Sequence, residues 1–258
     1  MKAEIEIVAD AQQLAQTAAD LFVEVARDAI SLNGLFSVAL AGGSTPKSLY
    51  ALLASEEKPY RSQLPWYQMH FFWGDERHVS PEHSESNYRM AYEAMLAKIP
   101  VPFENVHRIK SENQDASQAA NDYERTLRDF FSKAEEGLPR FDLALLGMGS
   151  DGHVASIFPG SEVINEKQRL VAAPFIKQLN SYRITLTLPV LNNSACVLFM
   201  VSGANKAEAL RDVLQNGSRP EQLPAQLIKP TNGRLLWLAD EAAARLLPRD
   251  VTDLKERQ

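Results

Sequence analysis

Short, nearly uninterrupted apolar runs recur along this chain, and several of them empty into a glycine-bearing turn that opens a helix. LFSVALA (35–41) leads into GGST, FDLALLG (141–147) into MGSDGH, and ACVLFMV (195–201) into SGANK. Strands that are apolar throughout must be covered on both faces, and the helical patterns between them supply the cover. The expectation is an α/β fold, Rossmann-like, with a mostly parallel sheet and helices on both faces.

The other elements read the same way. Residues 10–32 place Leu14, Ala18, Leu21, Val25 and Ile30 at helical spacing, with Asn33-Gly34 as the stop. Further helices are expected from Pro46 to Ala54 and over 84–97, 113–133, 205–215 and 240–247. Strands are expected at 69–75, 182–188 and 235–239, and the proline-rich stretch 217–233 reads as a surface loop. No repeat, low-complexity linker or composition break divides the 258 residues, so a single α/β domain is expected over 1–258.

Charge narrows the partners. A net charge of −6 without any block of like charges argues against nucleic acid or an anionic membrane as the main partner. The one cysteine, Cys196, lies in an apolar run, reads as core and cannot form an internal disulfide, which fits a reducing compartment. MKAEIEIVAD has neither a basic start nor a long apolar stretch, and no run of 18 apolar residues occurs, so a cytoplasmic chain is expected.

Three loops carry chemistry. In AGGSTPK (41–47), Gly42 and Gly43 free the backbone, Thr45 is suited to cap the helix and Pro46 to its first turn. Such a turn aims unpaired amides at whatever lies before the helix, and an oxyanion suits them, with Ser44 and Thr45 hydroxyls as added donors. The absence of a glycine before Lys47 excludes a nucleoside-triphosphate loop of the usual pattern, and an ordinary capped turn is the plain alternative. WGDERH (73–78) gathers Asp75, which can accept from sugar hydroxyls, and Arg77, which can grip an oxyanion; the plain alternative is a salt-bridged turn. In the third loop Gly147, Gly149 and Gly152 satisfy G-x-G-x-x-G, but Pro159 and Gly160 interrupt too soon for a crossover helix and no acidic residue ends a strand near 170, so nicotinamide binding is rejected. That loop sets His153 two residues from Asp151, a carboxylate able to hold the imidazole in one tautomer. The five histidines lack zinc spacing apart from a loose His78 and His83 pair, so no metal is expected. Arg183 at a strand start and Lys206 at a helix start are cations able to neutralise a phosphate.

Taken in order, AGGSTP, WGDER with SESNY (84–88), GMGSDGHVASIFPG, the RITLT strand and SGANK resemble the 6-phosphogluconolactonase family, part of the wider glucosamine-6-phosphate isomerase/deaminase group. The resemblance covers nearly the whole chain. It implies hydrolysis of 6-phospho-D-glucono-1,5-lactone in the oxidative pentose phosphate pathway, with no required cofactor. It implies His153 as general base oriented by Asp151, with Gly42, Gly43, Ser44, Thr45, Arg183 and Lys206 on the phosphate. Asp75, Arg77 and Gly149 join the substrate-binding set, and Arg77's share between phosphate, hydroxyls and oxyanion stays open. The expected partner is the small-molecule phosphosugar lactone, and the chain is expected as monomer or homodimer. The related deaminases resemble this motif but carry a Glu five residues after the His, where this chain has Phe158. A non-catalytic sugar-phosphate sensor would want a DNA-binding module or a basic face, and neither is found before Leu35.

Overall fold

The computed structural model describes residues 3–132, 138–215, 217 and 219–248. In chain order, β1 (Glu4–Val8) is followed by α1 (Ala11–Asn33), β2 (Phe36–Leu40), α2 (Ser44–Leu53), α3 (Tyr60–Gln63), β3 (Met69–Trp73), β4 (Asp75–Arg77), α4 (Asn87–Ala94) and α5 (Ala116–Phe130). Then come β5 (Leu143–Leu146), β6 (Val171–Ala172), β7 (Phe175–Ile176), β8 (Ser181–Leu186), α6 (Leu188–Asn192), β9 (Cys196–Val201), α7 (Ala207–Gln215), β10 (Arg234–Asp240) and α8 (Glu241–Ala244).

Six strands form one parallel sheet in the order β1-β10-β9-β5-β2-β3. β2, β5 and β9 are buried along their whole length, as near-continuous apolar runs require. Between β9 and β10, Phe199 and Trp237 are register partners whose rings stack with centroids 3.8 Å apart. Cys196 is buried in this core, and burial lifts its thiol to about 11. The long α1 starts on Asp10, whose carboxylate accepts from the Gln13 amide, and ends on Gly34 in the left-handed region at φ 79°.

Three expectations are corrected. The segment 182–188 is not a strand of the central sheet: β8 spans Ser181–Leu186 and pairs antiparallel with β4, β6 and β7 in a second, small sheet. Asp75–Arg77 is accordingly the strand β4 rather than a loop. Thr45 does not cap α2, because the helix already starts at Ser44 with Gly43 before it at φ 102°, a conformation that favours glycine. The N-terminal strand β1 completes the parallel sheet at one edge, where its half-exposed face accounts for its alternating acidic and apolar residues. No helix among the described residues is long and apolar enough to cross a membrane.

The chain runs outward from β2 to β3, then returns to lay β5 on the other side of β2 and continues through β9 to β10. The strand order therefore reverses between β2 and β5. Ligands of open α/β sheets bind outside the carboxyl ends of the strands at such a reversal.

Candidate active site

Four adjacent strands, β9, β5, β2 and β3, lead into the loops that carry the predicted residues other than Arg183, which lies on β8 of the small sheet. Two buried phenols tie off the strand exits. Tyr50 Oη accepts from the Ala41 amide at 2.9 Å and donates to the Ala41 carbonyl at 2.8 Å, just beyond β2. Tyr123 Oη makes the same pair of bonds to Trp73 at the end of β3, at 2.8 and 3.0 Å. Burial raises both phenols above the usual tyrosine range, so they stay neutral donors and acceptors.

Beyond Ala41, Gly42 is wedged against Asn87: a Cβ there would lie 2.0 Å from Asn87 Oδ1. The first intrahelical bond of α2 runs from the Lys47 amide to the Gly43 carbonyl at 3.2 Å. The amides of Ser44 and Thr45 therefore stay outside the ladder at the positive end of the helix, where an anion is favoured.

Gly74 turns the chain from β3 into the small sheet, donating to the Leu40 carbonyl at 2.9 Å and accepting from the Leu186 amide at 2.8 Å. Glu76 is 1% exposed and forms no salt bridge among the described residues; its carboxylate accepts from the amides of Arg77, Asn87 and Tyr88 and from Ser86 Oγ. Burial raises its carboxyl above the ordinary range, opposed by those amides. The WGDER segment is thus an anchor for the start of α4, not a solvated ion-paired turn. Arg77 donates to the Glu85 carbonyl at 2.6 Å and stands opposite Arg183 in the β4–β8 register. Burial, and next the Arg77 guanidinium, lower the pKa of Arg183. Asp75 accepts from Ser156 Oγ at 2.7 Å, and its main-chain carbonyl accepts from Asn87 Nδ2 at 2.9 Å.

The third loop folds over itself: the Gly149 amide donates to the His153 carbonyl at 2.9 Å, and the Gly152 amide to the Gly149 carbonyl at 3.1 Å. His153 Nδ1 lies 2.6 Å from Asp151 Oδ1. An ionised carboxylate only accepts, so Nδ1 carries the proton and the lone pair falls on Nε2. Burial opposes ionisation of Asp151, but its interactions with His153 outweigh burial and lower its carboxyl. One face of the imidazole stacks on Phe158, centroids 4.1 Å apart and planes at 25°. Gly149 has to be glycine, because a Cβ would lie 2.1 Å from His153 Nδ1 and 2.3 Å from Asp151 Oδ1.

Lys206 ends the turn Ala204–Lys206 that follows β9. Burial lowers its ammonium pKa, while the charge of Asp151 opposes that shift. The predicted cations therefore occupy two places, with Lys206 beside the His153 loop and Arg183 beside Arg77 on the small sheet. Two residues given no role from sequence, Asn87 and Ser156, join the first loop to the second and the second to the third. Their motifs were visible, but a bond such as Ser156 to Asp75, spanning 81 positions, leaves no local signal.

Among the described residues no group of three His, Cys, Asp or Glu side chains could hold a metal ion. His78 meets the Asn113 carbonyl and His83 accepts from the Glu85 amide, so the two rings are engaged separately.

Residues 9–237 match the family model described as glucosamine-6-phosphate isomerases/6-phosphogluconolactonase. The chain belongs to that family. Within it, the chain is 40% identical over 243 residues to a 6-phosphogluconolactonase of Nostoc sp., covering 94% of this chain and 98% of the relative. A 6-phosphogluconolactonase of Synechocystis sp. is 38% identical over 247 residues, covering 96% and 99%. The solved 6-phosphogluconolactonase of Trypanosoma brucei superposes with a TM-score of 0.83 at 30% identity, covering 96% of this chain and 99% of that one.

Proposed function

We propose that this chain is a 6-phosphogluconolactonase, a hydrolase opening 6-phospho-D-glucono-1,5-lactone to 6-phosphogluconate. The observation that carries the reading is the His153–Asp151 pair, which leaves Nε2 with no protein partner among the described residues at the point where the strand order reverses. In this mechanism Nε2 takes a proton from water as its oxygen attacks C1. The tetrahedral intermediate then collapses, the bond from C1 to the ring oxygen breaks, and the imidazolium returns its proton to that oxygen. The carboxylic acid so formed ionises in solution. Asp151 steadies the imidazolium, and Phe158 fixes the ring plane.

The Ser44 and Thr45 amides with Lys206 hold the phosphate in this reading, Asp75 accepts from a sugar hydroxyl, and Arg77 with Arg183 supplies positive potential along the small sheet. Phe158 occupies the position where an acid would be needed for ring-opening deamination, and a phenyl ring cannot carry a proton.

A lactonase assay beside a glucosamine-6-phosphate deaminase assay on one preparation tests the proposal. The expected result is lactone opening well above the spontaneous rate and no ammonia release. Activity in the second assay alone would overturn it.

A further inference from the structure

Asp240, the last residue of β10, is a carboxylate buried to 4% exposure, and no salt bridge among the described residues includes it. Burying an unpaired carboxylate costs several kcal/mol unless hydrogen bonds satisfy it. Three donors do so. The Ala243 amide donates at 2.8 Å, the Gly203 amide at 3.0 Å, and Ser202 Oγ donates to Oδ2. The first caps α8, whereas the other two belong to the turn leaving the neighbouring strand β9. That turn is strained toward glycine, with Gly203 at φ 98°, and its next bond runs from the Lys206 amide to the Gly203 carbonyl at 3.0 Å. Asp240 thus clamps the segment that carries Lys206.

We infer that Asp240 is a positioning residue that sets phosphate affinity by fixing the Ser202–Gly203 turn under Lys206. The inference rests on the proposed reading of Lys206 as a phosphate ligand. The Gly203 and Ala243 amides can only donate, and Ser202 Oγ donates here as well, so the ionised carboxylate serves all three at once. Asparagine would keep the size but remove the charge and one of the two oxygens that the Gly203 amide shares, each at 3.0 Å.

The test is equilibrium binding of 6-phosphogluconate, with gluconate as the control lacking phosphate, to the parent, Ser202→Ala, Asp240→Asn and Lys206→Ala proteins. Ser202→Ala removes a bond to the turn while leaving the α8 cap, so it stands if Asp240→Asn fails to fold. Each change should weaken 6-phosphogluconate binding about three- to tenfold, the worth of one hydrogen bond, and leave gluconate binding unaltered. Either change added to Lys206→Ala should cause no further loss. Undiminished affinity in the folded variants, an equal loss for gluconate, or a full loss in the Lys206→Ala background would overturn the inference. A parent protein that binds 6-phosphogluconate but opens no lactone would sink the hydrolase reading and leave this one standing. Unchanged affinity in Lys206→Ala would sink this one alone.

Discussion

Arg77 and Arg183 stand directly opposite each other across the antiparallel pair β4–β8. Arg77 is tethered to the Glu85 carbonyl, and Arg183 donates to Ser181 Oγ at 2.9 Å and to its neighbour's carbonyl at 3.0 Å. Like charges directly opposite on a sheet cost about 0.2–1 kcal/mol. An anionic ligand held between the two guanidinium groups would relieve that repulsion. Arg183→Gln should therefore raise thermal stability slightly while raising KM for the phosphorylated lactone. A variant that loses stability without losing substrate affinity would contradict this account.

Gly149 bears directly on the His153–Asp151 pair. The added methyl of Gly149→Ala would overlap both His153 Nδ1 and Asp151 Oδ1, and the pair has to part or the loop has to move. Turnover should fall about 10²-fold, the lower range of general-base contributions. Stability should fall by about 1–3 kcal/mol, as overpacking does. Steady-state kinetics with a melting curve separates the two effects.

Asp151→Asn tests the tautomer. The amide is nearly isosteric, yet it carries no charge to steady an imidazolium and can offer an N–H where the carboxylate only accepts. We expect kcat to drop about 10²- to 10⁴-fold with little change in melting temperature. Near-parental turnover would show that the bond to His153 is structural.

Away from the site, His70 Nδ1 and His107 Nε2 lie 3.2 Å apart beneath Phe72 and Phe130. Burial, reinforced by His70, lowers His107 from 6.5 to about 4, and burial lowers His70 as well. Between those values the unfolded chain binds the extra proton, so stability rises with pH there. It is fully present above about pH 6.5 and declines as pH falls toward 4. The urea midpoint should drop between pH 7.5 and 5, and His107→Gln should remove most of that drop. An unchanged drop in the variant would place the acid sensitivity elsewhere.

The parallel sheet was legible because β5 and β9 are apolar at every position and β2 at all but Ser37, a pattern that two-sided burial demands. β1 escaped notice because EIEIV shows one half-exposed face at a sheet edge. The strand character of 182–188 was readable, but which sheet it joins depends on pairing with Asp75–Arg77, and periodicity carries no partner information. At the site, the pairing of His153 with Asp151 was readable because the two are neighbours in sequence. Glu76 was given no role of its own, since nothing local announces a carboxylate whose partners are amides ten or so positions ahead. The cap of α2 went to Thr45 by residue preference, whereas the positive φ of Gly43 places the boundary two positions earlier.

The doubled bonds of Tyr50 and Tyr123 separate the durability of the sheet from the composition of its rim. Each hydroxyl seals one strand end with a side chain rooted in a helix, so neither end depends on the loop beyond it for its last backbone partners. Those loops are left free to change residue by residue, while the scaffold beneath keeps its edges from fraying.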